Sequence, residues 1–267
     1  MNLEMLTEQV VNLCREVGGF ISREAKNFSI SDVEVKGEHD FVSYVDKTAE
    51  KMLVSKLRII VPKAGFITEE GTASEKGDRF NWIVDPLDGT TNFIHSLPPY
   101  SISVALTEGD EVILGVVYEI NLDEAFYAWK GGRAYLSGKE ISVSRSADLD
   151  SALIATGFPY YDYSLLDSYL DMFKDLMKSS SGVRRLGSAA VDLAYVAAGR
   201  FELFYEYGLN PWDVAAGTLL VKQAGGMVTD FKGGADFLFG RQIVASNSIV
   251  HDEFMKKLNN YFGKDVL

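Results

Sequence analysis

A short apolar run passes into an acidic turn at residues 82–93, which read Trp-Ile-Val-Asp-Pro-Leu-Asp-Gly-Thr-Thr-Asn-Phe. The apolar residues before Asp85 predict a buried strand. Pro86 has no N–H to donate to a neighbouring strand, and Gly89 allows the backbone to turn sharply. Asp85 and Asp88 can therefore face one point in the loop at the end of this strand.

The residues after this turn are expected to open a helix. The free N–H groups of Gly89 and Thr90 at the helix start would attract an anion such as phosphate. Carboxylates beside an anion site would repel the anion unless a cation joins them. A plain turn is the alternative interpretation, since Asp, Pro and Gly are the residues that turns use.

Two further acidic segments favour a cation site over a plain turn. Glu69 and Glu70 follow a predicted strand at residues 66–68, and Asp213 opens a predicted helix that runs to Ala224. Asp213 could instead serve only as an acid that complements the helix dipole. Together the segments place acidic residues at the ends of several elements.

The hydrophobic pattern around these segments predicts both helices and strands. It predicts one helix that ends near Glu24 and a second over residues 45–57, joined by a polar loop from Ser29 to Tyr44. Short apolar runs then predict a sheet, and alternating element types predict an α/β second half. The predicted strands lie at 66–68, 82–84, 102–106, 112–118, 124–129, 152–156, 201–205 and 227–229, and the later helices at 166–173, 189–198 and 214–224.

Length, charge and cysteine content restrict the function classes. With 267 residues, 47% of them hydrophobic, the chain has the composition of a folded globular protein. A net charge of −12 has the wrong sign for binding nucleic acid through phosphate contacts, so no direct nucleic-acid partner is expected. The lack of a long apolar run or signal-like N-terminus predicts a cytoplasmic protein without membrane contact. The single cysteine, Cys14, excludes a zinc site of several thiolates, so any metal would need oxygen ligands.

The acidic segments, taken together, resemble the inositol monophosphatase family of magnesium-dependent, lithium-sensitive phosphomonoesterases. The resemblance rests on Glu69-Glu70, on Asp-Pro-Leu-Asp-Gly-Thr-Thr from Asp85 and on Trp-Asp-Val-Ala-Ala-Gly from Trp212, in this order and spacing. Lys36 and the residues up to Asp46 resemble the family's mobile loop. The Arg-Arg-Leu-Gly-Ser-Ala-Ala run at 184–190, with Asp192, resembles its substrate-side segment.

This resemblance implies a layered αβαβα sugar-phosphatase fold, like that of inositol monophosphatase and fructose bisphosphatase. An α+β part with an antiparallel sheet and most metal ligands would cover residues 1–145. An α/β part with Asp213 and the substrate-side residues would cover residues 146–267. We expect one compact unit with a soft boundary and the site between the two parts.

The resemblance also implies two to three Mg²⁺ ions bound by oxygen ligands. Four carboxylates about 5 Å apart would repel one another by roughly 3 kcal/mol per pair at an effective dielectric of about 20, so cations are expected to keep them ionised. Mg²⁺ takes oxygen ligands and retains several waters, which leaves room for phosphate. A third, weaker ion would lie near Glu69. The implied ligands are Glu69, Asp85, the Leu87 carbonyl and the Thr90 hydroxyl for the first ion, and Asp85, Asp88 and Asp213 for the second.

Three residues are implied in the chemical step. Thr90, hydrogen-bonded to Asp46, would orient or deprotonate the attacking water, and Glu69 is the competing base. Asp46 could instead only support Thr90, as a carboxylate at a helix N-terminus. His95 is expected to be structural, with a general acid as the alternative.

The substrate would be held on the side of the segment at 184–190. Glu206 is expected to accept hydrogen bonds from ring hydroxyls, with a solvated loop acid as the alternative. Arg184 and Arg185 are left outside the catalytic set, and Lys36 is a possible loop residue that steers phosphate or is only surface charge. The implied substrate-binding residues are Gly89, Thr90, Gly187, Ser188, Ala189, Glu206 and Asp213.

The expected reaction is therefore hydrolysis of a phosphate monoester, with inositol 1-phosphate as the favoured substrate and a homodimer as the expected assembly. Alternatives of the same fold are fructose 1,6-bisphosphatase, histidinol-phosphatase and 3′-phosphoadenosine 5′-phosphate phosphatase. The last two often carry Lys after Asp-Gly-Thr, whereas Thr91 stands here. A non-catalytic role as a partner in a transcription complex is the alternative of another class.

Overall fold

Two large sheets and three helical layers form the fold of the computed structural model, with a separate two-stranded sheet. The structure describes residues 1–27, 33–37, 40–159 and 162–263. The helices are α1 Leu3–Ala25, α2 Tyr44–Ile60, α3 Thr90–Ile94, α4 Leu166–Leu176, α5 Ala189–Ala197, α6 Pro211–Gln223 and α7 His251–Phe262. The strands are β1 Val33–Gly37, β2 Asp40–Ser43, β3 Gly65–Thr68, β4 Phe80–Asp88, β5 Ser101–Glu108, β6 Glu111–Glu119, β7 Glu124–Trp129, β8 Ala134–Leu136, β9 Lys139–Ile141, β10 Leu153–Thr156, β11 Gly182–Arg184, β12 Leu203–Tyr207, β13 Met227–Thr229 and β14 Gln242–Ser246.

The first large sheet has seven strands in the order β3-β4-β5-β6-β7-β8-β9. Only β3 and β4 run parallel within it, and every other neighbouring pair is antiparallel. All five strands predicted in this half are present. The helices α1 and α2 pack on one face, where Val10, Val17, Leu53 and Trp82 are fully buried in one core.

The second sheet has five strands in the order β11-β10-β12-β14-β13 and is mixed. β10 runs parallel to β11 and β12, whereas β14 runs antiparallel to β12 and β13. This mixed sheet with its helices confirms the predicted α/β character of the second half.

The helices α5 and α6 fill the space between the two sheets. Their apolar residues, such as Leu193 and Leu220, share a core with Val117 of the first sheet and Phe204 of the second. The far face of the second sheet is covered by α4 and α7, through residues such as Met172 and Phe254. The order of layers is therefore α, β, α, β, α, which confirms the predicted fold.

The polar loop predicted from Ser29 to Tyr44 is wrong where the structure describes it. An antiparallel hairpin of β1 and β2 lies in this segment, and α2 already begins at Tyr44. The strands β1 and β2 have only five and four residues, and neither contains more than two consecutive apolar residues, so they give no apolar run. Lys36 lies in β1, and its side chain lies outside the part that can be described.

The two sheets separate along the chain between Ile141 and Leu153. The predicted boundary between an α+β part ending at residue 145 and an α/β part beginning at residue 146 stays a prediction, because α5 and α6 pack against both sheets. Among the described residues, no helix is both long enough and apolar enough to cross a bilayer.

Candidate active site

A cavity of about 150 Å³ opens where the acidic segments meet. Asp85 and Asp88 enter it from β4, and Asp213 enters it from the first turn of α6. Each of the three offers a carboxylate oxygen, and these oxygens all lie within 4.8 Å of one another. Three oxygen ligands at this spacing fit a hard divalent cation such as Mg²⁺.

The acidic turn of β4 has the irregularity that its proline and glycine predict. Pairing with β5 runs regularly up to Asp85 and then shifts register before Asp88, which brings both carboxylates to the same cavity. The Asp85 carboxylate accepts a hydrogen bond from the Leu87 N–H at 2.9 Å. Gly89 has a φ of 92°, and a Cβ there would lie 3.0 Å from the Pro99 carbonyl oxygen, so only glycine fits this turn.

Glu69 is held after the end of β3 by a buried carboxylate that was not predicted from the sequence. Glu50 of α2 is fully buried and accepts hydrogen bonds from the Glu70 N–H at 2.8 Å and the Thr72 N–H at 2.7 Å. Its carboxylate also accepts from the Thr68 hydroxyl at 2.9 Å. Glu50 therefore fixes the loop that carries Glu69, whose own Oε2 is buried without a hydrogen-bond partner among the described residues.

Asp46 and Thr90 meet as predicted. The Thr90 hydroxyl lies 3.1 Å from Asp46 Oδ1 and 2.9 Å from the Leu87 carbonyl oxygen, so it can donate to either. Asp46 is also the third residue of α2, where its Oδ2 accepts the Ser43 N–H at 2.9 Å in a capping box. Asp46 therefore caps a helix and contacts Thr90, and its part in the chemical step stays a prediction.

Asp213 and Asp88 are positioned by neighbouring backbone. Asp213 accepts the Asn210 N–H at 2.6 Å, which closes the first turn of α6. Asp88 accepts the Ala190 N–H at 2.8 Å and the Ser188 hydroxyl at 2.5 Å, both from the start of α5. The segment at 184–190 thus contacts the acidic cluster directly.

Burial and mutual repulsion raise the pKa values of the clustered carboxyls. Loss of hydration raises the pKa of Asp85 well above its ordinary value, with further contributions from Glu69, Asp88 and Asp213. Burial raises the pKa of Asp88 to about 6 against the hydrogen bonds from Ser188 and Ala190, and burial with the charge of Asp88 raises that of Asp213 to about 7. The pKa of Glu69 is likewise raised, first by burial. A bound cation would reverse these shifts, because it favours the ionised forms.

A second group of residues lines the same cavity. Glu206 of β12 is buried there, and Gly157 lies so close that a Cβ on it would stand 2.1 Å from the Glu206 carboxylate. Asp192 of α5 and Arg185 also line the cavity. Burial raises the pKa of Glu206 well above its ordinary value, the charge of Asp213 raises it further, and Arg185 opposes this rise.

Most predicted site residues line this one cavity. Asp46 reaches it through Thr90, and Lys36 lies where no side chain can be described. Glu50, Gly157 and the positions of Asp192 and Arg185 in the cavity were not predicted from the sequence. The predicted residues that line the cavity are Glu69, Asp85, Leu87, Asp88, Gly89, Thr90, Gly187, Ser188, Ala189, Glu206 and Asp213.

An αβαβα fold with a cluster of carboxylates in a cavity between its sheets defines the class of metal-dependent sugar-type phosphatases. The sequence profile of the Inositol monophosphatase family matches residues 2–262. The chain therefore belongs to the inositol monophosphatase family, and it is a phosphatase by class.

Individual relatives agree with this assignment but differ in name. The chain is 42% identical over 239 residues to the Nus factor SuhB of Pseudomonas aeruginosa, covering 88% of each protein. It is 43% identical over 231 residues to the fructose-1,6-bisphosphatase/inositol-1-monophosphatase of Thermotoga maritima, covering 86% of this chain and 87% of the relative. The solved structure of a Thermotoga maritima IMPase superimposes with a TM-score of 0.88 at 39% identity, over 97% of this chain and 98% of the other.

Proposed function

We propose that this protein catalyses the Mg²⁺-dependent hydrolysis of inositol 1-phosphate to myo-inositol and phosphate. The observation that carries the proposal is the convergence of Asp85, Asp88 and Asp213 within 4.8 Å, in a cavity that also contains Glu206. The cavity thus combines ligands for a cation with an acceptor for hydroxyl groups.

The ligand set is all oxygen, which suits two or three Mg²⁺ ions. Glu69, Asp85, the Leu87 carbonyl and the Thr90 hydroxyl are proposed to hold the first ion, and Asp85, Asp88 and Asp213 the second. The buried, unpartnered Oε2 of Glu69 supports this assignment, because a buried carboxylate oxygen requires a partner. When bound, the ions would supply Lewis acidity and an activated water. Competition by lithium at millimolar levels is expected if the second position is loose.

Thr90 and Asp46 are the residues proposed to orient or deprotonate the attacking water. The Thr90 hydroxyl, at 3.1 Å from Asp46 Oδ1, can pass its proton towards Asp46 while its oxygen accepts a proton from water. Glu69 is the competing base, since its pKa is raised in the same cavity. The N–H groups of Gly89 and Thr90 are proposed to hold the phosphate oxygens.

Glu206 is proposed to bind the alcohol part of the substrate, with backbone N–H groups of Gly187, Ser188 and Ala189 reaching other hydroxyls and Asp213 facing the scissile ester. Glu206 is separate from the three-carboxylate group, so it is available to hydroxyl donors. Ser188 already donates its own hydroxyl to Asp88, so its contribution to the substrate would come from its backbone.

The proposed substrate is tested against the substrates of other enzymes that share this fold. Fructose 1,6-bisphosphatase, histidinol-phosphatase and 3′-phosphoadenosine 5′-phosphate phosphatase remain the alternatives. Phosphate release from the four corresponding substrates should be measured with and without Mg²⁺. We expect inositol 1-phosphate to give the highest kcat/KM and chelation of Mg²⁺ to abolish it; a higher value for another substrate would replace the proposed one.

A second role, as a partner in a transcription complex, is favoured by one observation, the 42% identity to a protein named Nus factor SuhB. With a net charge of −12, such a role would proceed through protein contacts and not through direct nucleic-acid binding.

We further propose a cytoplasmic homodimer. Light scattering of the purified protein should give twice the mass of 29.5 kDa, and a value near 29.5 kDa would contradict the dimer.

A further inference from the structure

Asp192 is a buried carboxyl in the cavity that no proposed step above uses. It lies in α5 with only 1% of its surface exposed, and it lines the cavity with Glu206. Its Oδ1 is buried and has no hydrogen-bond partner among the described residues. A buried carboxyl oxygen without a donor is costly, so a donor is expected from something that enters the cavity.

Asp192 serves neither of the two ordinary purposes of a carboxyl at this place. The N-terminus of α5 is capped by Ser188, whose hydroxyl accepts the Val191 N–H at 3.3 Å. Asp192 also lies outside the one group of carboxylates, within the described part of the chain, that is spaced to hold a metal ion. Helix capping and cation binding therefore leave Asp192 unexplained.

The charges around Asp192 restrict what can approach it. Glu206 and Asp88 are the nearest acidic influences on Asp192, and Arg185 is the opposing cation. The charge of Arg185 also lowers the pKa of Asp88 and of Glu206, so one guanidinium acts on three carboxyls. A second phosphate on the substrate would be repelled here, whereas a neutral hydroxyl would be accepted as a donor.

We propose that Asp192 is a specificity-determining residue that, beside Glu206, accepts a hydrogen bond from a hydroxyl of the alcohol, and so selects monophosphates of neutral polyols. This inference rests on the phosphatase function proposed above and adds a second acceptor to it. Glu206 from β12 and Asp192 from α5 then contact different hydroxyls of one polyol, which a simple alcohol could not satisfy.

The test compares inositol 1-phosphate with p-nitrophenyl phosphate, which has no ring hydroxyls. Asp192→Ala should lower kcat/KM for inositol 1-phosphate by about tenfold or more, mainly through KM, and change it less than about threefold for p-nitrophenyl phosphate. Asp192→Asn keeps an acceptor oxygen and should recover part of the loss. Glu202→Gln is the matched control: Glu202 is a buried carboxylate that accepts the Leu153 N–H at 2.6 Å and does not line the cavity.

An equal fall on both substrates, or no fall on either, would overturn the assignment of Asp192. If the wild type hydrolyses neither ester, the proposed function is wrong and the assignment fails with it. If Asp192→Ala does not fold, Asp192→Asn is compared with wild type on monodeoxy derivatives of inositol 1-phosphate. Removal of one particular hydroxyl should then cost the wild type more than it costs the variant, and equal losses for every derivative would contradict the proposal.

Discussion

Two groups of acidic residues line the cavity, and they are built differently. On the cation side, Asp85, Asp88 and Asp213 lie within 4.8 Å of one another, and each is held by a hydrogen bond from a backbone N–H. On the alcohol side, Glu206 lies on β12 and Asp192 on α5, and Asp192 Oδ1 has no hydrogen-bond partner among the described residues. The cation side has the spacing of ligands for one cation, whereas the alcohol side offers separate acceptors.

This difference explains how one acidic cavity can bind a cation at one group of carboxyls and a neutral alcohol at the other. Carboxylates fixed by backbone donors keep their spacing when a cation binds, which reduces the reorganisation that binding requires. Carboxylates on separate elements can instead each contact one hydroxyl. Substitutions on the two sides should therefore fail in different ways.

The largest effect is expected on the cation side. Asp88→Asn or Asp213→Asn should lower kcat by at least about a hundredfold at saturating Mg²⁺, because positioned metal ions supply several kcal/mol of transition-state stabilisation. The loss should be similar for inositol 1-phosphate and p-nitrophenyl phosphate. Asp171→Asn, at an exposed ion pair with Lys174, is the control and should keep wild-type turnover. Near wild-type turnover in either site variant would refute the metal assignment.

A smaller effect, which depends on the substrate, is expected on the alcohol side. Glu206→Gln should lose on the order of 1.5 to 3 kcal/mol of binding to a hydroxyl that used the charged acceptor. The loss should be large for inositol 1-phosphate and small for p-nitrophenyl phosphate, with unchanged dependence on Mg²⁺. Values of kcat/KM for both esters, measured with the wild type and with Glu206→Gln, show whether the loss depends on the substrate. An equal fall would place Glu206 in the common chemical step or in folding.

Gly157→Ala tests the same side without changing a charge. The added Cβ would stand 2.1 Å from the Glu206 carboxylate, so Glu206 must move. We expect a fall of about tenfold or less in kcat/KM for inositol 1-phosphate, since a displaced acceptor loses part of a hydrogen bond. Gly131→Ala is a control for the glycine change itself, because nothing lies within 4 Å of a Cβ there, although its φ of 80° carries its own cost. Unchanged substrate preference in Gly157→Ala would contradict the contact.

The smallest effect expected is a shift of several degrees in melting temperature that depends on pH and Mg²⁺. Without a cation the folded-state pKa values of Asp88 and Asp213 rise from 3.8 to about 6 and about 7. The folded protein then binds more protons than the unfolded chain between about pH 4 and pH 7, so its stability should fall as pH rises through this window.

Mg²⁺ binds the ionised carboxylates, so its stabilising effect should be larger at pH 8 than at pH 5. Melting curves at both pH values with and without Mg²⁺ measure this difference. Asp213→Asn should reduce the pH dependence of the metal-free protein. An equal effect of Mg²⁺ at both pH values would show that these carboxyls are not its ligands.

Local sequence predicted those elements whose own pattern is strong. The strands at 66–68, 82–84 and 102–106 each contain an apolar run, and they are present within β3, β4 and β5. The strands β8, β9 and β11 have three residues each, and such short strands exist only through pairing with a neighbour. The hairpin of β1 and β2 escaped prediction for a similar reason, because its strands have only five and four residues and no apolar run.

The sequence by itself determined the acidic residues that close the strand and helix ends, because Asp, Pro and Gly at such ends act through the local backbone. The family and the layered fold followed from the resemblance that these motifs carry. Only the tertiary structure decided how those residues are held. Glu50 reaches the Glu70 N–H across 20 residues, and Gly157 meets Glu206 across the sheet that pairs β10 with β12. The burial of Asp192 likewise follows from packing between two sheets. Contacts of this kind depend on which distant surfaces pack together, and no local sequence pattern specifies that packing.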